Sequence, residues 1–383
     1  QRAELAGRSP YNVVELDLPR DPEGGDPYEH AAELLGHWTE DGALTRDSEP
    51  EIWALEQDYD APDGTRLTRR GFLARVKLAQ YGEGIRPHER TQPGPKEDRL
   101  RLTRATRHNL SPIFALHPGD AWQHLEAAAA GDPWGEVTDG DGTTHRIWRV
   151  GDPEVHKAIA SELEPGELLI ADGHHRYETS LAYQREVGAG GPADYVLMAL
   201  VSLEDPGLTV FPTHRLISGL IDAPQRESLT AGLEDLFDLE EVTTDQLDPG
   251  GSEGVGVFGY IDPQFKRGFR LRLRETAALD QALTDRSAAY RSLDAVILEE
   301  LVLKGILEMS TDDIAAKRGI GYTPNIGEAL GKLDTGEYQA AFLLRPTPIE
   351  QVRAVAAEGE TMPPKSTYFF PKLLTGIVFN PLS

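Results

Sequence analysis

Runs and alternations of apolar residues divide the chain into short segments of different period. Tyr11–Leu18 reads as a strand, whereas Tyr28, Ala31, Ala32, Leu35 and Trp38 recur at the spacing that lines one face of a helix. Glu51–Asp58 and Thr68–Gln80 are rich in β-formers on either side of Asp63-Gly64, which predicts a hairpin. Gln80–Asp98 interrupts the pattern with glycines and Gly-Pro. It reads as a charged loop stiffened by Pro87 and Pro93. A helix at Leu100–Leu110, a strand at Pro112–Leu116 and a helix at Ala121–Ala130 follow. After the turn Asp139–Gly142 come a strand at Thr143–Val150, a helix at Pro153–Glu164 and strands at Glu167–Ala171, Tyr195–Leu203 and Thr209–Leu216.

From about Pro224 the composition changes. A helix runs to Phe237, an acidic linker carries Pro249-Gly250-Gly251, and strands are expected at Gly254–Tyr260 and Gly268–Arg274. Helices at Arg291–Leu307 and Thr311–Lys317, a strand at Gln339–Arg345 and a helix at Ile349–Glu358 complete the pattern. The mixture of elements predicts an α+β (mixed α/β) fold with a domain boundary near 219–226.

One segment carries most of the chemical signal. The apolar strand Leu168-Leu169-Ile170-Ala171 runs directly into Asp172-Gly173-His174-His175-Arg176-Tyr177, and helical spacing resumes with Leu181, Ala182 and Val187. Asp172 and Gly173 stand where an N-cap and a tight turn are needed. Backbone N–H groups and the positive end of the helix dipole would then face outward at the strand's carboxyl end, an anion-binding arrangement. Two imidazoles and a guanidinium at the same helix start add donors for a phosphate. Asp172 with His174 also admits a metal, and Mg²⁺ held by Asp172 and phosphate oxygens fits better than a closed zinc site, since no third ligand has clear spacing.

Composition narrows the classes. Among 383 residues, 38 Lys and Arg face 64 Asp and Glu, a formal charge of −26. Such a balance argues against a nucleic-acid backbone or an anionic membrane as the main partner, leaving room only for a local basic pocket. Arg greatly outnumbers Lys and acid is spread through every segment, which favours solubility. With no cysteine, disulfides, thiolate nucleophiles and zinc-thiolate sites are excluded, so any catalysis uses oxygen and nitrogen groups. No apolar run approaches the ~20 residues of a membrane span. No secretory leader pattern opens the chain, and a cytoplasmic protein is the default.

Three motifs together resemble the signature of a large bacterial and archaeal family known only as a domain of unknown function, DUF1015. They are Pro87-His88-Glu89-Arg90-Thr91 followed by Lys96-Glu97-Asp98-Arg99, the Asp172–Tyr177 string, and Met362-Pro363-Pro364-Lys365-Ser366-Thr367-Tyr368-Phe369. That resemblance, with Gln1 in place of an initiator Met, implies residues upstream of Gln1. The motifs and their order are also similar to those of archaeal ADP-dependent free serine kinases of the ParB/sulfiredoxin-like class.

The resemblance implies a ParB/sulfiredoxin-like nucleotide-binding core with an inserted subdomain over residues 1–222, and a C-terminal α/β domain over 223–383. It implies a kinase that uses ADP or ATP with Mg²⁺ to phosphorylate a small hydroxylated metabolite such as serine. Gly173, His174, His175 and Arg176 would hold the nucleotide. Glu89 would act on the acceptor hydroxyl, with Asp172 and His175 beside it in the reaction and Asp172 on the metal. His88, Lys365, Ser366 and Thr367 would bind the substrate. A carboxylate that accepts the hydroxyl proton and a set of cations for the developing phosphoryl charge make chemical sense of these types. Lys365-Ser366-Thr367 has no glycine-rich lead-in and is not a Walker motif. Two departures stand out: the 172 − 89 = 83 positions between Glu89 and Asp172 are more than the kinase pattern has, and Tyr368-Phe369 replaces a basic pair. A nucleotide-binding regulator without turnover is the competing reading.

Overall fold

The computed structural model describes residues 2–21, 23–61, 64–89, 94–220, 222–262 and 267–383. Asp63 of the expected hairpin turn, and Arg90, Thr91 and Pro93 of the charged loop, lie outside the described residues. The chain forms two compact units: Gln1–Pro87, Thr91–Leu208 and Pro371–Ser383 in unit 1, and His88–Arg90 with Thr209–Phe370 in unit 2. The protein is a mixed α+β structure with a large mixed sheet and a second, antiparallel sheet.

Unit 1 is built on strands β1 (Ile52–Asp60), β2 (Arg66–Lys77), β3 (Ile85–Pro87), β4 (His108–Asn109), β5 (Ile113–His117), β6 (Gly135–Thr138), β7 (Thr144–Val150), β8 (Leu168–Asp172) and β9 (Tyr195–Ser202). All but β4 join one sheet in the order β3-β8-β5-β9-β2-β1-β7-β6. β3 runs parallel to β8 and β5 parallel to β9, and the remaining pairs are antiparallel. The expected hairpin is β1–β2, with Trp53 opposite Leu73.

Side chains alternate across the sheet. One face, with Ala54, Phe72, Ile113, Ile170, Met198 and Leu200, packs on Ile159, Tyr177 and Leu181 of two helices, Pro153–Leu163 and His174–Val187. The opposite face offers Trp53, Leu55, Leu73 and Leu197 to Leu373, Ile377 and Val378 of the C-terminal segment. Each fully buried apolar side chain of this size contributes roughly 1.5–3 kcal/mol, so the two faces dominate the stability of the unit. The helix Pro27–Glu40 starts at Asp26, whose carboxylate accepts from the N–H of Tyr28, with proline in its first turn; it buries Ala31, Leu35 and Trp38. The strand expected at Tyr11–Leu18 is instead a helical turn, Val14–Asp17. Asn12 accepts from the N–H of Val14 there, a local hydrogen bond that competes with a ladder.

Unit 2 holds β11 (His214–Ile217), β12 (Phe237–Val242), β13 (Val257–Ile261), β14 (Gly268–Leu273), β15 (Ile320–Thr323) and β16 (Ala340–Leu343) in the antiparallel order β12-β14-β13-β16-β11-β15. β10 (Thr209–Phe211) pairs with β17 (Tyr368–Phe370) in a separate two-stranded ribbon. The single strand expected over Thr209–Leu216 is thus broken in two, and Pro212, which has no N–H for a ladder, lies at the break. The stretch expected as an acidic linker begins as the edge strand β12, burying Phe237 and exposing Asp238, Glu240 and Glu241. Acid on an edge strand repels further pairing. The helix expected at Arg291–Leu307 is α-helical over Asp294–Ile297 and continues as a π-helix over Leu298–Ile306.

Candidate functional site

In unit 1 the strand–turn–helix at Asp172 has the expected shape with one change. Asp172 ends β8, and Gly173, not Asp172, is the N-cap of the helix His174–Val187; no side chain caps that end. Gly173 sits at φ 94°, a left-handed conformation that side chains disfavour, and a Cβ there would come within 3.0 Å of the Arg176 guanidinium. Arg176 is aimed back by its own hydrogen bonds: Nη1 donates to Ser111 Oγ at 2.6 Å and to the Pro112 carbonyl at 2.5 Å. Its Nη2 lies 3.9 Å from Asp172 Oδ1. His174 is buried, and the Tyr177 hydroxyl donates to the Ala79 carbonyl while stacking on Tyr81.

Sequence reasoning missed a second cation at this turn. Lys372 Nζ lies 3.3 Å from Asp172 Oδ2. Burial pushes the Asp172 carboxyl up, but the charges of Lys372, Arg176 and His174 outweigh it and hold the group down at about 2. Asp172 is therefore ionised at neutral pH, an oxygen ligand for a hard cation. Among the described residues no group of three or more His, Asp or Glu side chains could hold a metal ion. A cation here would need phosphate oxygens or water for its remaining ligands. An uncapped helix start, an absent Cβ and two flanking cations suit a phosphate.

In unit 2, His88 and Glu89 meet the Met362–Phe369 segment. Glu89 pairs with Met362 in a parallel bridge, and the Met362 N–H donates to the His88 carbonyl at 2.8 Å. His88, buried, places Nε2 at 2.8 Å from Thr367 Oγ1 and its ring edge-on to Phe369. The Glu89 carboxylate lies 3.9 Å from His88 Nε2. Ser366 and Thr367 are buried, with Ser366 Oγ donating to the Pro363 carbonyl. Lys365 is exposed and takes φ 64°. Arg215 is buried over the Tyr322 ring; burial lowers its pKa, and Tyr322, Glu299 and Glu89 act against that. Unit 2 thus gathers His88, Glu89, Ser366 and Thr367, and unit 1 gathers Asp172, Gly173 and Arg176 with Lys372.

Other singled-out residues have structural roles. Trp148 is buried and donates to the Gly131 carbonyl, while Trp134 is exposed and edge-on to Trp53. No helix of the described residues is long and apolar enough to cross a membrane.

Fold and site together define a mixed α+β protein with a strand–turn–helix whose helix start has no side-chain cap. The chain belongs to the family described as "Protein of unknown function (DUF1015)", whose profile matches residues 1–296. Solved structures are similar at low identity. A conserved hypothetical protein from Pyrococcus furiosus is 16% identical with a TM-score of 0.42, covering 81% of this chain and 95% of that one. A variant of a free serine kinase in complex with ADP is 13% identical with a TM-score of 0.41, covering 78% and 87%. SbnI with C-terminal truncation from Staphylococcus aureus is 14% identical with a TM-score of 0.40, covering 81% and 87%. No curated protein matches the chain.

Proposed function

We propose that this protein is a small-molecule phosphotransferase of the ParB/sulfiredoxin-like class, moving a phosphoryl group from ADP or ATP to the hydroxyl of a free metabolite such as serine. The observation that carries the reading is the turn at Gly173. Its uncapped helix start, flanked by Arg176 and Lys372 and adjoining an ionised Asp172, suits nucleotide phosphates with Mg²⁺. His174 and His175 stand in the first turn of the same helix.

Glu89 supplies the other half of the chemistry. It takes the hydroxyl proton as the acceptor oxygen bonds to phosphorus and the donor's bridging P–O bond breaks. β3 and β8 are parallel neighbours, and the chain runs from the carboxyl end of β8 into Gly173. Ligands of open α/β sheets gather at such strand ends. His88, Ser366 and Thr367 contact the acceptor in this reading, with Lys365 at the rim.

Incubation with ADP or ATP, Mg²⁺ and a panel of hydroxylated metabolites including serine, followed by phosphorus NMR, tests the proposal. A phosphorylated product that disappears in Glu89→Gln supports it. No product with any nucleotide overturns it, and tight nucleotide binding without product would place the protein among nucleotide-dependent regulators.

A further inference from the structure

The C-terminal segment that enters unit 1 at Pro371 closes over the Gly173 turn from two fixed points. At one, Gln57 Nε2 donates to the Lys372 carbonyl at 3.1 Å. Gln57 is itself 1% exposed and fully engaged: Nε2 also lies 3.1 Å from His145 Nδ1, and Oε1 accepts from Arg69 Nε at 3.0 Å and Nη2 at 2.5 Å. His145 Nε2 lies 2.9 Å from Asp139 Oδ2. Because Gln57 Nε2 can only donate, His145 Nδ1 accepts, and its Nε2–H donates to Asp139. At the other point Thr375 Oγ1 lies 3.3 Å from Ser111 Oγ, the same hydroxyl that fixes Arg176.

These contacts hold the chain at Lys372 and three residues beyond it, and from there the Lys372 side chain reaches the turn. It is 42% exposed, and its ammonium meets one oxygen of Asp172 while Arg176 faces the other. Two cations thus flank one carboxylate, an excess of positive charge at a helix end that is already positive. Arg69 lies within the same sheet. It is 1% exposed, its guanidinium lies over the Phe114 ring, and its buried Nη1 has no hydrogen-bond partner among the described residues, while Phe114 pairs with Asp172 across β5 and β8.

Resting on the reading of the Gly173 turn as a phosphate site, we propose that Lys372 is a phosphoryl-binding residue. It leaves Asp172 for an oxygen of the bound phosphoryl group, and the Gln57–His145–Asp139 relay keeps its backbone in register. Asp172 is then released to a cation, so one ion pair is exchanged for two. The ligand class is a di- or triphosphate, either nucleotide or inorganic.

Calorimetric titration of the full chain with ADP, ATP and inorganic pyrophosphate, each with and without Mg²⁺, tests this on wild type, Lys372→Met and Lys372→Arg. Lys372→Met should weaken diphosphate binding about ten- to a hundredfold, the worth of a charged hydrogen bond, and Lys372→Arg should recover most of it. Lys372 is solvent-facing, and unchanged melting of both variants confirms that folding is intact. If wild type binds ADP and Lys372→Met binds it equally well, Lys372 has no such role and the phosphotransferase reading stands. If wild type binds pyrophosphate with the same dependence on Lys372 but neither nucleotide, Lys372 keeps its role and the nucleotide donor is lost. If wild type binds none of the three, both are overturned.

Discussion

Replacing Gly173 by alanine probes the turn on which the functional reading stands. A residue with a Cβ at φ 94° is strained by roughly 1–2 kcal/mol. The new methyl also lies 3.0 Å from Arg176 Nε and Nη2, so the guanidinium must shift by a few tenths of an ångström. That shift stretches the Arg176 hydrogen bonds to Ser111 Oγ and the Pro112 carbonyl, whose complete loss would cost about 1.5–3 kcal/mol for a charged donor. Gly173→Ala is therefore expected to destabilise unit 1 by about 1–5 kcal/mol, from the backbone strain alone up to that strain plus complete loss of the Arg176 hydrogen bonds. Urea denaturation of wild type, Gly173→Ala, Arg176→Ala and the double variant measures both parts. In the Arg176→Ala background only the backbone strain of roughly 1–2 kcal/mol should remain, because the clash has no partner. A single-variant loss within about 0.5 kcal/mol of wild type, or strictly additive variants, would refute the reasoning.

Further expectations concern groups elsewhere in the fold. His214 is fully buried, its Nδ1 accepts from the Leu344 N–H, and burial holds its pKa down at about 4. Its neutral form is favoured in the fold, so stability is complete above pH 6.5 and falls by about 3 kcal/mol as pH drops to about 4. His214→Asn, which keeps an acceptor, should flatten that acid limb in urea titrations; an unchanged limb assigns it to another group. Asp205 is raised to about 6 by burial, so it costs stability as pH rises from about 4 to 6. Asp205→Asn should raise the free energy of unfolding, read by urea denaturation, at pH 8 and not at pH 4, by up to about 2 kcal/mol after solvent screening. At Gly207 a Cβ would lie 2.2 Å from the Thr68 carbonyl oxygen, backbone that cannot swing away. Gly207→Ala should cost about 1–3 kcal/mol in chemical denaturation, and a neutral result would mean that this approach relaxes freely.

Local periodicity made much of unit 1 legible. The β1–β2 hairpin, β5, β7, β8, β9 and the helices packed on them follow from alternation, capping Asp and Pro residues, and continuous apolar runs. The misread segments share a physical cause. Val14–Asp17 has the alternation of a strand, and a side-chain hydrogen bond from Asn12's oxygen turns it into a helix. β12 looks like a linker because an edge strand needs few apolar contacts, here Phe237 in the core and Val242 packed against it. β15 and the helix Ile326–Asp334 were not anticipated at all, being four and nine residues of mixed polarity whose packing comes from distant chain. At the site, Asp172, Gly173 and Arg176 were legible because they fall within five residues of one strand–turn–helix. Lys372, Gln57 and Ser111 were not, since each reaches that turn from a remote strand or segment and no spacing rule links position 57 to 372.

The return of Pro371–Ser383 to unit 1 also sets an order of assembly. The ribosome makes β1 to β9 first and residues 209–370 next, and only then the stretch with Leu373, Ile377 and Val378. Until that stretch emerges, Trp53, Leu55, Leu73 and Leu197 form an uncovered apolar sheet face, the kind of surface on which chaperones act. Gln57 lacks its carbonyl acceptor and Asp172 its ammonium over the same interval. The unit whose synthesis begins first is thus finished last, and a nascent chain halted before Pro371 carries the whole Gly173 turn without the lysine that balances it.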